Sequence, residues 1–180
     1  MPHNDHDDAP VATSKTASPE RELVMRAVTI NRSASDLYDF WRDFPNLARI
    51  MDNIVSIEPI NGTRSRWVVR GPGGTEYEWV STVTKDVPGE EITWQAEGDA
   101  EIANSGRICF RETHDRGTVV TATIAYDPPA GVVGKVIAKV LQREPELQAR
   151  RDLRRFKQLM EAGEIATNAR NARMRAEEMN

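Results

Sequence analysis

Between residues 53 and 126 the chain divides into six short runs in which apolar and polar residues alternate: 53–60, 64–71, 75–86, 91–96, 104–112 and 117–126. A period of two gives each run one face for a core and one for water. The separators are turn chemistry: Asn61-Gly62, Gly71 to Gly74, Val87 to Gly89, Gly98-Asp99 and His114 to Gly117. Connections this short join neighbouring strands antiparallel, because a parallel pair needs a crossover of about a dozen residues or more. The constraint is therefore an antiparallel meander with one wet face.

Three of the four tryptophans, Trp67, Trp79 and Trp94, fall on successive strands of this meander, and Trp41 precedes it. A three-residue loop at 72–74 sets Trp67 opposite Trp79 and Val69 opposite Tyr77, whereas a four-residue loop sets Trp67 opposite Glu78. A slip of one residue turns every side chain to the other face. The first register gathers the apolar groups and is adopted. Extended, it predicts Ser81 opposite Trp94, Val83 opposite Ile92, Phe110 opposite Val120, Ile108 opposite Ala122 and Gly106 opposite Ile124. The expected inner face carries Trp67, Val69, Tyr77, Trp79, Val83, Ile92, Trp94, Ile108, Phe110, Val120, Ala122, Ile124 and Tyr126. The outer face carries charge and threonine, among them Arg66, Arg70, Glu76, Glu78, Arg107 and Arg111.

The flanks complete the plan. Residues 21–30 read as a first strand, broken at Asn31. Ser33 with Asp36 resembles a capping box, and Leu37, Phe40, Trp41 and Phe44 follow at helical spacing until Pro45. A second helical turn is expected over 45–50. After Asp127, residues 132–141 read as helical with a stripe of Val133, Val136, Ile137 and Val140. From Glu146 to Gly163, residues Ala149, Leu153, Phe156 and Met160 lie on one side with Leu159 beside them, and Gly163 is a natural C-cap. Residues 1–20 are expected to be a disordered tail without the apolar segment of a signal peptide. Residues 21–163 are expected to form one domain, and 164–180 a polar tail.

Composition narrows the functions. A net charge of −4 over 180 residues gives no global attraction to nucleic acid, so DNA is not expected as a partner. The single cysteine, Cys109, excludes an internal disulfide and fits a reducing cytoplasm. No run reaches the roughly 20 apolar residues of a membrane span. His3 to Asp8 reads as a solvated segment rather than a metal site, and no metal or cofactor is expected.

The order of strand, two short helices, six-stranded meander and long C-terminal helix is that of the α+β helix-grip fold, in which a curved antiparallel sheet wraps a C-terminal helix. Three segments carry a resemblance to a family. Residues 37–47, with Leu37, Tyr38, Phe40, Trp41, Phe44 and Pro45, resemble the first-helix segment of the polyketide cyclase/dehydrase and lipid-transport superfamily, the START-like group also called SRPBCC. Residues 126–131 and 152–158 resemble its bacterial "cyclase/dehydrase" branch, which is related to coenzyme Q-binding proteins. The resemblance spans roughly residues 22–165. It implies a cavity between sheet and helix, and the residues above predict an aromatic lining of Trp41, Trp67, Tyr77, Trp79, Trp94, Phe110 and Tyr126. Whether those rings line the cavity or fill it is left open by the sequence.

Catalytic constellations are weak. No nucleophile elbow, phosphate-binding loop, His-Glu-x-x-His or Cys-x-x-Cys is present. His114 falls in a hairpin turn, and Arg107 is expected to point outward. Glu97, Asp99 and Glu101 read as a solvated turn near the cavity mouth. Arg143, Arg150, Arg151, Arg154, Arg155 and Lys157 make the last helix basic, either as a solvated face or for transient contact with a membrane surface or RNA. The leading expectation is a noncatalytic binder of a small hydrophobic molecule such as a lipid, quinone or polyketide-like aromatic. The alternatives are a polyketide cyclase/dehydratase of aromatase type and a ribosome- or protein-interaction module using the basic helix. The oligomeric state is left open.

Overall fold

The structure, a computed structural model, describes residues 22–98, 100, 102–127 and 144–165. Seven strands form one antiparallel sheet: β1 Glu22–Ile30, β2 Ile54–Pro59, β3 Arg64–Arg70, β4 Glu76–Val87, β5 Glu91–Ala96, β6 Ala103–Thr113 and β7 Gly117–Asp127. Their order is β1-β7-β6-β5-β4-β3-β2, so the meander runs unbroken from β2 to β7 and β1 closes its far edge. The sheet curls into a half-barrel around helix α2, Glu144–Ala162. The tail at 1–20, the helix expected over 132–141 and the tail beyond 165 lie outside the described residues.

The β1–β2 connection carries helix α1, Ala34–Arg42, and a 3-10 segment, Phe44–Arg49. Ser33 caps α1, its Oγ accepting from the Asp36 amide at 3.1 Å, which satisfies one of the otherwise orphaned N-terminal amides. Leu37, Tyr38 and Trp41 face inward from α1, and Phe44 and Leu47 continue the same buried surface.

The β3–β4 register is the one expected, with Trp67 opposite Trp79 and Val69 opposite Tyr77. So is the last hairpin, with Phe110 opposite Val120 and Gly106 opposite Ile124. The β4–β5 hairpin differs. Val83 pairs with Trp94, Ser81 with Ala96 and Asp86 with Ile92. Two local features cause this. The turn closes tightly at Val87 and Glu91 around Gly89, whose φ of 73° needs glycine. A bulge between Val83 and Lys85 then inserts one extra residue. The bulge restores the parity that the tight turn changes, so Trp94 still shares a face with Val83 and Trp79.

Helix α2 buries Ala149, Leu153, Phe156 and Leu159. Its end is tied to the β1–α1 corner by Lys157 Nζ to the Thr29 carbonyl at 2.8 Å and by Arg32 Nε to the Met160 carbonyl at 2.7 Å. The Gly163 amide donates to the Leu159 carbonyl at 2.9 Å and ends the helix where the spacing predicts.

Candidate functional site

Between the concave face of the sheet and α2 lies a cavity of about 230 Å³, partly open to solvent. The strands β3, β4 and β5 supply Trp67, Val69, Trp79 and Trp94; β7 supplies Ala122 and Ile124. Trp41, Phe44, Leu47, Met51 and Ile54 close one side, and Ala149 and Leu153 of α2 close another. The wall is almost wholly apolar, the kind of surface that holds a ligand by exclusion of water.

Each tryptophan is held differently. Trp67 and Trp79 are near-parallel, 9° apart with centroids at 6.4 Å, as cross-strand partners on one face. Trp67 Nε1 donates to Ser65 Oγ at 2.8 Å, so its polar end is satisfied within the wall and its ring is left for apolar contact. Trp94 lies across Gly106 on the neighbouring strand. A Cβ at 106 would stand 2.1 Å from the indole, so glycine there is what lets the ring lie against the sheet. Trp41 is buried, edge-on to Phe156 at 5.3 Å.

The other expected lining residues fall elsewhere. Phe110 is buried beside Tyr38, 6.1 Å edge-to-face, in packed core away from the cavity. Tyr77 is on the inner face but lies against Gly71 at the β3–β4 turn, outside the lining. Tyr126 has a described backbone, paired with Asn104 and Glu22, while its side chain lies outside the described residues.

Four polar residues reach the cavity: Asn53, Ser81, Asn104 and Asp152. Two are paired at ordinary hydrogen-bond length, and Ser81 has a contact at the limit. Asn53 Oδ1 accepts from Gln148 Nε2 at 3.1 Å, Asn104 Nδ2 donates to the Ile102 carbonyl at 3.0 Å, and Ser81 Oγ approaches the Gln95 carbonyl at 3.5 Å. Asp152 is different. It is 7% exposed, and its hydrogen bond from Gln148 is long, 3.5 Å. Burial pushes its carboxyl up to about 7, against the lowering influence of the Gln148 amide and of Arg155. Arg155 is itself engaged by Asp52. Composition hides Asp152 among the charges of a basic helix. Its spacing does not: it lies three residues after Ala149 and four before Phe156, on the apolar stripe.

The remaining titratable groups are framework. Glu97 is not a loose turn carboxylate. Arg64 grips it at 2.6 and 2.8 Å and Thr82 donates at 2.7 Å, which holds its carboxyl down at about 2. Asp99 and Glu101 lie outside the described residues. On the outer face Glu91 is clasped by Lys85 and Arg107, so Arg107 points away from the cavity, as expected. Tyr38 and Arg42 meet at Asp86, and burial with that hydrogen bond pushes the Tyr38 phenol up to about 12. His114 is exposed in its turn, and burial raises the Cys109 thiol. Arg150, Arg151 and Arg154 are exposed on α2. Among the described residues no three His, Cys, Asp or Glu converge as metal ligands do, and no helix is long and apolar enough to cross a membrane.

A seven-stranded curled sheet gripping a C-terminal helix over an apolar cavity defines a START-like, helix-grip protein. The model of the family described as polyketide cyclase / dehydrase and lipid transport matches residues 30–154, and the chain belongs to that family. DR_A0006 from Deinococcus radiodurans is 37% identical, with a TM-score of 0.64 over 79% of this chain and 100% of its own. TTHA0849 from Thermus thermophilus is 19% identical, with a TM-score of 0.63 over 77% and 94%. The Zhui aromatase/cyclase from Streptomyces sp. R1128 is 18% identical, with a TM-score of 0.61 over 81% and 99%. The last two likenesses concern the fold alone. A search of curated proteins found no match.

Proposed function

We propose that the protein binds a small hydrophobic molecule, a lipid, quinone or polyketide-like aromatic, in the cavity between sheet and α2. The observation that carries this reading is the cavity itself: about 230 Å³ walled by four tryptophans and aliphatic side chains. Large aromatics could have filled the space by packing on one another. Instead, Trp67, Trp79 and Trp94 are half-buried, and their faces are apolar area that a ligand would take out of water. Trp41, Trp67, Trp79 and Trp94 are the residues proposed to touch it.

Binding is favoured over catalysis because the wall brings one acid, Asp152, beside one hydroxyl, Ser81, and two amides that have partners already. General acid–base catalysis of a cyclisation or dehydration calls for groups converging on the reacting atoms. The aromatase/cyclase likeness keeps that chemistry as the alternative, to be distinguished by assay on polyketide-like chains. A cytoplasmic location is part of the same reading, supported by the single Cys109, which can form no internal disulfide.

Native mass spectrometry of the gently purified protein, followed by organic extraction, tests the reading. The expected result is a stoichiometric apolar passenger, reduced in Trp79→Ala and Trp94→Ala. An empty protein that lipids, quinones and flat aromatics all fail to stabilise would overturn it.

A further inference from the structure

The buried acid in the cavity wall bears on what the ligand must look like, an inference that rests on the cavity being the binding site. We propose that Asp152 is a ligand-recognition residue whose neutral carboxyl donates a hydrogen bond to an uncharged acceptor oxygen, such as a ketone or quinone carbonyl, on an otherwise apolar ring system.

The geometry argues this from three sides. Asp152 is more than nine-tenths buried and lines the cavity beside Ala149 and Leu153, among almost wholly apolar side chains. Its hydrogen bond from Gln148 is at the limit of length, and Gln148 makes a shorter one, 3.1 Å, to Asn53. A buried polar group with so little satisfaction costs stability unless something completes it. Third, the cations near it, Arg155 and Arg151, draw its carboxyl down, but burial outweighs them. Arg155, three residues on along the helix, also pairs through Nη1 with Asp52 from the 3-10–β2 connection, and Arg151 is exposed. Desolvation therefore sets the balance, and Asp52 adds to it, placing the carboxyl at about 7. A protonated carboxyl is a donor, and a carbonyl oxygen in a two- or three-ring ligand is its complement.

Affinity should then fall with pH. Below about 7 the neutral acid donates; above it, the carboxylate can only accept and repels the ligand oxygen. The test uses a matched pair, α-tetralone and its parent hydrocarbon tetralin, with 1-naphthylmethylamine as a cation. Binding is read by isothermal titration calorimetry from pH 5 to pH 9. The ketone is expected to bind roughly fivefold tighter than the hydrocarbon at pH 5.5, as one net hydrogen bond allows, with the advantage gone by pH 9. Asp152→Asn keeps an amide donor without a titration, so its preference should persist and become flat in pH. Asp152→Leu should erase the preference while still binding tetralin.

A ketone-to-hydrocarbon ratio that is flat with pH in the unaltered protein would overturn the inference and leave the apolar-cavity reading standing. So would tightening of the amine above pH 7 in place of any ketone preference, since that would make the ionised acid the recognising form. Failure of both neutral probes at every pH would sink the cavity reading and this inference with it. Carbon-13 carboxyl NMR gives a check without ligand: an Asp152 titration in the ordinary carboxylate range, near 4, would end the proposal whatever the probes do.

Discussion

Beneath α1 the inner face of the sheet is packed solid. Ile30, Ile92, Ile108 and Val120 are fully buried there, covered by Leu37, Tyr38, Trp41 and Phe156. Toward β3 the same face carries Trp67, Val69, Trp79 and Trp94, all half-buried around empty space. Both halves show the same alternation in sequence, and the hollow half has the larger side chains. Alternation thus decides which face turns inward, while the element lying over each half decides whether it is filled. The helix α1 and Phe156 reach the first half; over the second stand the short residues Ala149 and Asp152.

The largest expected effect lies in the packed half. Phe156→Ala removes a ring in contact with Phe40 and Trp41, and should cost about 3–5 kcal/mol of stability, measured by urea unfolding. Trp79→Ala, facing the cavity, should cost clearly less while weakening ligand retention. Equal losses would erase the distinction between the two halves.

Next comes Asp152, whose raised carboxyl makes a signed prediction. In the unfolded chain it titrates near 4, in the folded one at about 7. Between those values the unfolded state has released a proton that the native state keeps. Stability from this group is therefore fully present below about 4 and is lost progressively as pH rises to about 7, then stays flat. Asp152→Asn should remove that slope and gain on the order of a few kcal/mol at pH 8 relative to pH 4. Thermal melts across pH check it, and an unchanged slope would mean that Asp152 is not buried as described.

Gly106→Ala sharpens the comparison from the hollow side. The new methyl collides with the Trp94 indole, and overpacking of this sort costs about 1–3 kcal/mol. Because the indole borders the cavity, it has room to swing inward, so ligand capacity should fall more than stability. The smallest effect is expected at Arg64→Ala on the outer face, where the Glu97 pair is well exposed. Glu97 is held down at about 2, so its contribution is present above about 4 and disappears as pH falls toward 2; acid melts of the variant and the parent should converge there.

Much of this was legible in the residues. Ser33 announces the start of α1, Gly163 the end of α2, and the pairing of Trp67 with Trp79 follows from a loop count and the need to gather apolar groups. The β4–β5 pairing was not, because a tight turn at Gly89 and a bulge after Val83 offset each other in parity, and neither leaves a mark in the alternation. The candidate site was half legible. Four tryptophans were placed at the cavity by face and order, but Phe110 and Tyr77 share that face and lie off the cavity, since position along a strand matters as much as parity.

Asp152 shows the division of labour. Periodicity alone puts it on the apolar stripe of its helix. What raises its carboxyl to about 7 at the edge of a cavity is burial against the sheet across from it, with Asp52 adding to the rise, set against the pull of Gln148 and Arg155. Side-chain direction is a local property of backbone geometry, so the sequence determined the faces, the strand order and the family. Burial depends on residues far apart in the chain, so only the tertiary structure decided which apolar positions became core, which became wall, and which charge lost its water.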